Sequence, residues 1–105
     1  MTDVFVVLVT APDADKAAEL GRALVEQKLV ACANVVPAVR SIYRWEGRIE
    51  DTSEALLVLK TPRFRMKELV DRVTELHPYE VPEIIAIPVE EGHARYLDWV
   101  VGSVY

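Results

Sequence analysis

Ser41-Ile42-Tyr43-Arg44-Trp45-Glu46-Gly47-Arg48-Ile49 decides the fold. Glu46-Gly47 is a tight-turn signal between two extended segments, so the chain doubles back here as a hairpin. The extended pattern runs over residues 29–45 before the turn and 49–60 after it. Upstream, Val4-Phe5-Val6-Val7-Leu8-Val9 is a continuous, largely β-branched run, the pattern of a strand buried on both faces. Pro12-Asp13 then opens a helix with Asp13 as its N-cap. Ala17, Leu20, Leu24 and Val25 recur at helical spacing to about Lys28. Downstream, Thr61-Pro62 predicts a second helix start, a capping hydroxyl followed by proline at the first helical position. Met66, Leu69, Val70, Val73 and Leu76 form its apolar stripe. A fourth strand covers residues 84–89, and Glu91-Gly92 leads into a last helix with Tyr96, Leu97, Trp99 and Val100 on its apolar side.

The order is β-α-β-β-α-β plus a C-terminal helix. This predicts the α+β class: a ferredoxin-like sandwich with a long hairpin between the second and third strands. Right-handed crossovers give the spatial strand order 4-1-3-2. The ends of the first and third strands and the starts of the second and fourth are expected at one end of the sheet. Thr10, Lys60, Cys32 and the segment from His77 to Glu83 are therefore expected together. The second and fourth strands are opposite edges, roughly 14 Å apart at about 4.8 Å per step. Cys32 and His77 are thus not expected to meet within one subunit. Seventeen extended residues before the turn would span roughly 56 Å, far beyond a radius of gyration near 13 Å for this length. That strand must bend or project, and Pro37 offers the bend on an edge strand. Ile42, Tyr43 and Trp45 near the tip of the arm are expected to dock on another subunit.

With 105 residues the chain is read as a single domain, residues 1–105. Its hydrophobic content of 51% argues against disorder. A formal net charge of -5 with no basic stripe argues against nucleic acid as a partner. Cys32 is the only cysteine, so no internal disulfide forms. The N-terminal residues have neither a basic leader nor an apolar run of membrane-spanning length. The expectation is a cytoplasmic protein without membrane partners.

Three motifs in order support a family. Ala31-Cys32-Ala33-Asn34, then Ser41 to Gly47, then His77-Pro78-Tyr79-Glu80-Val81-Pro82-Glu83 resemble the CutA divalent-cation-tolerance family. The likeness covers nearly the whole chain, and the Leu97-Asp98-Trp99 helix fits it. The resemblance implies a ferredoxin-like homotrimer built around long hairpins, and a link to copper and other divalent metals. Family members proposed to bind copper carry a thiol near the end of the first strand and a second histidine before His-Pro-Tyr. Val9 and Leu76 stand there in this chain, which implies weak rather than tight binding of copper or another divalent cation.

The candidate metal ligands are His77, Cys32, Glu80 and Glu83, since imidazole and thiolate suit copper and zinc, and carboxylates suit harder cations. A shared site would use His77 with Glu80 or Glu83, and Cys32 from a neighbour. His93 beside Gly92 reads as solvent-facing. Thr10, Lys60 and Tyr79 are candidate cleft-lining residues, with Glu80 or Glu83 as partner for Lys60. No phosphate-binding glycine loop and no forced Ser-His-Asp set is present, so the chain is read as a non-enzyme. The first reading is a trimeric metal-responsive binding protein. The alternative is a regulatory or scaffold trimer like the nitrogen-regulatory P-II proteins, with a small effector between subunits. A third reading gives Tyr79, Lys60 and Glu83 acid–base roles.

Overall fold

A computed structural model describes residues 2–105. The elements are β1 (Val4–Ala11), α1 (Ala14–Glu26), β2 (Cys32–Trp45), β3 (Arg48–Pro62), α2 (Met66–Leu76), β4 (Ile85–Pro88) and α3 (Ala94–Gly102), with a 3-10 turn at Arg63–Arg65. The four strands form one antiparallel sheet in the order β2-β3-β1-β4, which is the expected 4-1-3-2 read from the other edge.

Asp13 caps α1 as its position predicts: its carboxylate accepts from the Lys16 N–H at 2.8 Å. The helix closes with Lys28 in the left-handed region (φ 57°). The Leu29 N–H then bonds the Leu24 carbonyl at 3.0 Å and the Lys28 N–H bonds the Val25 carbonyl at 3.0 Å, which satisfies these two carbonyls of the last turn. One face of the sheet carries Val7, Val9, Leu57 and Leu59, all fully buried against Ala17, Leu20 and Leu24 of α1 and Leu69 and Val73 of α2. Each such side chain contributes about 1.5–3 kcal/mol through burial. Gly21 lets α1 sit close: a Cβ there would stand 3.0 Å from the Ala33 Cβ and 3.2 Å from Leu57 Cδ1.

The other face follows from the pairing register. Val6, Leu8 and Thr10 stand beside Lys60, Val58 and Leu56, and these beside Cys32, Asn34 and Val36, with Ile87 and Ile85 along the far edge. Neither α1 nor α2 lies here. Ile85 and Ile87 remain 51% and 50% exposed. Tyr96 of α3 reaches Cys32 at one end of this face, and its phenol is held above its ordinary value first by burial and then by that thiol. Of the apolar side expected for α3, Val100 is buried, Leu97 is half-buried, and Tyr96 and Trp99 remain exposed.

The hairpin projects as expected. Its register breaks between Val36 and Val39, where Pro37 and Ala38 interrupt the ladder. Beyond the break, an Arg40–Asp51 fork with bonds of 2.8 and 2.7 Å ties the two strands together. Glu46 (φ 49°) and Gly47 (φ 79°) form the turn, both left-handed, as a two-residue hairpin of this twist requires. The arm helps give the molecule its 44 × 25 × 23 Å shape.

Two expectations are corrected. Thr61 and Pro62 belong to β3, not to a helix start. The Thr61 hydroxyl is fully buried and donates to the Leu29 carbonyl at 2.7 Å, while α2 begins through the 3-10 turn with no side-chain cap. The strand ends also divide differently. A crossover helix makes β1 and β2 parallel, so their ends share one side with the starts of β3 and β4. Thr10 pairs with Leu56 at that side, whereas Lys60 pairs with both Val6 and Cys32 towards the opposite end.

Candidate functional site

α2 ends where His77 leaves the helical region (φ -77°, ψ 138°), its N–H still bonded to the Val73 carbonyl at 2.8 Å. Pro78 and Pro82 keep the following segment from extending either neighbour. The His77 ring is 7% exposed and lies over the end of β1. The Tyr79 N–H donates to Nδ1 at 3.1 Å, so Nε2 carries the proton and donates to the Thr10 carbonyl at 2.7 Å. Both ring nitrogens are engaged, and the rings of His77 and Tyr79 sit 4.6 Å apart. A metal at His77 would have to displace one of these bonds.

Tyr79 is then aimed at the arm. Its hydroxyl donates to Glu54 Oε2 at 2.6 Å. Burial, followed by the Glu54 carboxylate, holds the phenol well above its ordinary range, so it stays a donor. Glu54 is 7% exposed, although in the sequence it belongs with Glu46, Glu50 and Asp51 to an acidic run on the hairpin, expected to be a solvated face or a weak site for hard or divalent cations. Nothing local in the sequence marks Glu54 as the buried member of that run.

The arm and the loop after α2 enclose an open groove of about 770 Å³. Thr10, Tyr79, Glu80 and Glu83 line it, together with Ile42, Tyr43, Trp45 and Glu54 of the arm. Lys60 and Cys32 do not. Lys60 Nζ bonds Asn34 Oδ1, the same oxygen that Cys32 Sγ approaches at 3.6 Å. Lys60 therefore has Asn34, not Glu80 or Glu83, as its partner. The trio Tyr79, Lys60 and Glu83 is likewise split between the two ends of the sheet. His93 is exposed and caps α3, accepting from the Tyr96 N–H at 3.3 Å.

The family model described as CutA1 divalent ion tolerance protein matches residues 5–103. The chain belongs to this family. A Thermus thermophilus relative named divalent-cation tolerance protein CutA is 48% identical over 95 residues, covering 90% of this chain and 92% of that one. The human protein CutA is 49% identical over 92 residues, which is 88% of this chain but 51% of the human one. The chain thus spans about half the length of that human relative. The crystal structure of CutA from Xylella fastidiosa superimposes with a TM-score of 0.95 at 38% identity, covering 99% of this chain and 100% of that one. Relatives carry different locations in their names, chloroplastic in Arabidopsis thaliana and periplasmic in Archaeoglobus fulgidus. In this chain no helix among the described residues is long and apolar enough to cross a membrane.

A divalent cation needs several donor atoms converging on one point. Among the described residues, no group of three or more His, Cys, Asp or Glu side chains is arranged to hold a metal ion. With both His77 nitrogens bonded and Cys32 away from the groove, one protomer does not provide a closed copper site. The carboxylates of Glu80 and Glu83 remain, bordering the groove.

Proposed function

We propose that this chain is a cytoplasmic, non-enzymatic homotrimer of the divalent-cation tolerance family that contacts copper or another divalent cation weakly at subunit boundaries. One observation carries the assembly. The β1 sequence has the pattern of a strand buried on both faces, yet only one face is covered by helices along its length; on the other, α3 reaches one end and leaves Val6 and Leu8 half-buried. The other face, from Val6 and Leu8 to Ile85 and Ile87, is too apolar to be left to water. Further copies of the chain would cover it, and head-to-tail use of the two free sheet edges closes a ring. Ile42, Tyr43 and Trp45 then dock against the next copy, and the groove they line becomes a boundary between subunits.

Cation contact is assigned to Glu80 and Glu83, with His77 and a neighbour's Cys32 as the softer donors if assembly rearranges them. Sedimentation equilibrium should return three times the chain mass, and a monomer at micromolar concentration overturns the assembly. Calorimetric titration of tag-free trimer with Cu²⁺ should weaken on replacing Glu80 and Glu83 by Gln. No binding tighter than millimolar counts against the metal reading.

A second reading, a small effector held between subunits as in P-II-like regulators, is favoured by the groove's size. About 770 Å³ lies within the range of small-molecule sites, roughly 300–1,000 Å³. Thermal-shift screening tests it, because a ligand selective for the native state raises the melting temperature.

A further inference from the structure

Lys60 carries a charge that its own chain does not balance. The pairing register sets it in a row of four side chains, Cys32, Lys60, Val6 and Ile87, on the sheet face that α1 and α2 leave open. The next row is Asn34, Val58, Leu8 and Ile85, so Lys60 is the one charged residue among these eight. Lys60 is half-buried, and its ammonium has a neutral partner, Asn34 Oδ1 on β2. The ion pairs among the described residues join other side chains, and Lys60 enters none of them. α3 reaches the Cys32 end of the row through Tyr96, which brings no carboxylate.

An exposed lysine needs no counterion, but this one stands on the face that further copies cover. Covering an ammonium with only an amide beside it is unfavourable, because the amide returns too little of the hydration lost. The covering copy must bring an anion. Strand direction says which one. Each neighbouring pair of strands is antiparallel, so β4 runs antiparallel to β2. Rotation about an axis along the strands keeps their direction, so in a head-to-tail ring the end of the next copy's β4 arrives beside Cys32, the start of β2. The chain just past β4 is pinned to β1: the Val89 N–H donates to the Val4 carbonyl at 2.9 Å, and the Thr2 hydroxyl donates to the Val89 carbonyl at 2.8 Å. Glu90 and Glu91 follow at once, both exposed and in no ion pair among the described residues. Lys60 Nζ is already bonded to a β2 side chain, which leaves about one strand spacing, roughly 4.8 Å, to a strand added at that edge.

We infer that Lys60 is one half of an ion pair between copies, its partner being Glu90 or Glu91 of the next copy. The pair sets the register of the β2–β4 edge contact, which apolar rows alone leave free to slip. The inference rests on the homotrimer reading and adds the charged contact that orients the copies.

Sedimentation equilibrium of the full chain tests it, with far-ultraviolet spectra confirming that each variant folds. Lys60→Glu should weaken assembly about thirtyfold or more, and combining it with Glu90→Lys and Glu91→Lys should recover most of the loss. Lys60→Met keeps the apolar stem and should weaken assembly by a smaller factor. If Lys60→Glu does not fold, salt decides: rising ionic strength should loosen the wild type more than Lys60→Met, and an equal response overturns the pair. Assembly of Lys60→Glu as tight as that of the wild type overturns the ion pair and leaves the homotrimer standing. Loss without recovery in the exchanged variant overturns Glu90 and Glu91 as partners, as does recovery with Glu83→Lys in their place. Wild-type assembly that requires added acetate assigns the anion to solution and overturns the pair. A wild-type chain that is monomeric at micromolar concentration overturns both the pair and the homotrimer.

Discussion

Tyr79 shows how one side chain joins elements that are far apart in sequence. Its backbone N–H fixes the His77 ring, and its hydroxyl holds Glu54 on the arm. Tyr79→Phe should destabilise the protein by about 1–3 kcal/mol, the cost of leaving a buried carboxylate oxygen without its donor. Denaturant midpoints of the two proteins measure this. The pH dependence has a definite sign. The phenol's folded-state value lies above the unfolded value of about 10, so its contribution is complete below that pH. It is lost as pH rises through the folded value. The stability gap between wild type and Tyr79→Phe should therefore be constant from pH 7 to 9 and narrow above 10. Tyr79 stands out in the sequence because it sits among prolines and acids. Its partner does not, because Glu54 is 25 residues away and looks like its solvated neighbours.

Among the elements, those set by local chemistry could be read directly. Asp13 caps α1, Glu46-Gly47 turns the hairpin, and Pro37 lies where the ladder breaks. Thr61-Pro62 could not, because a threonine before proline suits both a helix cap and the end of a strand. The deciding bond goes to the Leu29 carbonyl, 32 residues away. Thr61→Val should accordingly cost about 1–3 kcal/mol by stranding that carbonyl, while Thr61→Ser should recover much of it. Circular dichroism should show α2 intact in both, since Thr61 does not cap it. A converse change is available at Lys28, which occupies a left-handed position that favours glycine. Lys28→Gly should stabilise by up to about 1 kcal/mol, the steric cost relieved being offset in part by a looser unfolded chain. Thermal midpoints of the purified variant test it. The shared location expected for Thr10, Lys60 and Cys32 failed at this scale too: strand order followed from the crossovers, but which ends meet required following direction through each one.

At the scale of the molecule, the continuous apolar run in β1 was informative in a way that one chain does not satisfy. Val7 and Val9 find α1 and α2, whereas the Val6 and Leu8 face meets no helix of that pair. Ile87→Glu places a charge at the edge of this face without touching the helical core. It should shift the sedimentation profile towards smaller species while leaving the far-ultraviolet spectrum of the remaining monomer near that of the wild type. If the mass is unchanged, the sheet face is not the contact.

β4 has four residues and is held along one side only, by β1. Such a segment belongs to the low end of local stability, where backbone amides open long before the core does. If its free edge is closed by a neighbouring copy, amide hydrogen exchange at residues 85–88 should slow as the protein is concentrated, while exchange in α1 stays the same. β4 would then act as a built-in gauge of how much of the protein is assembled.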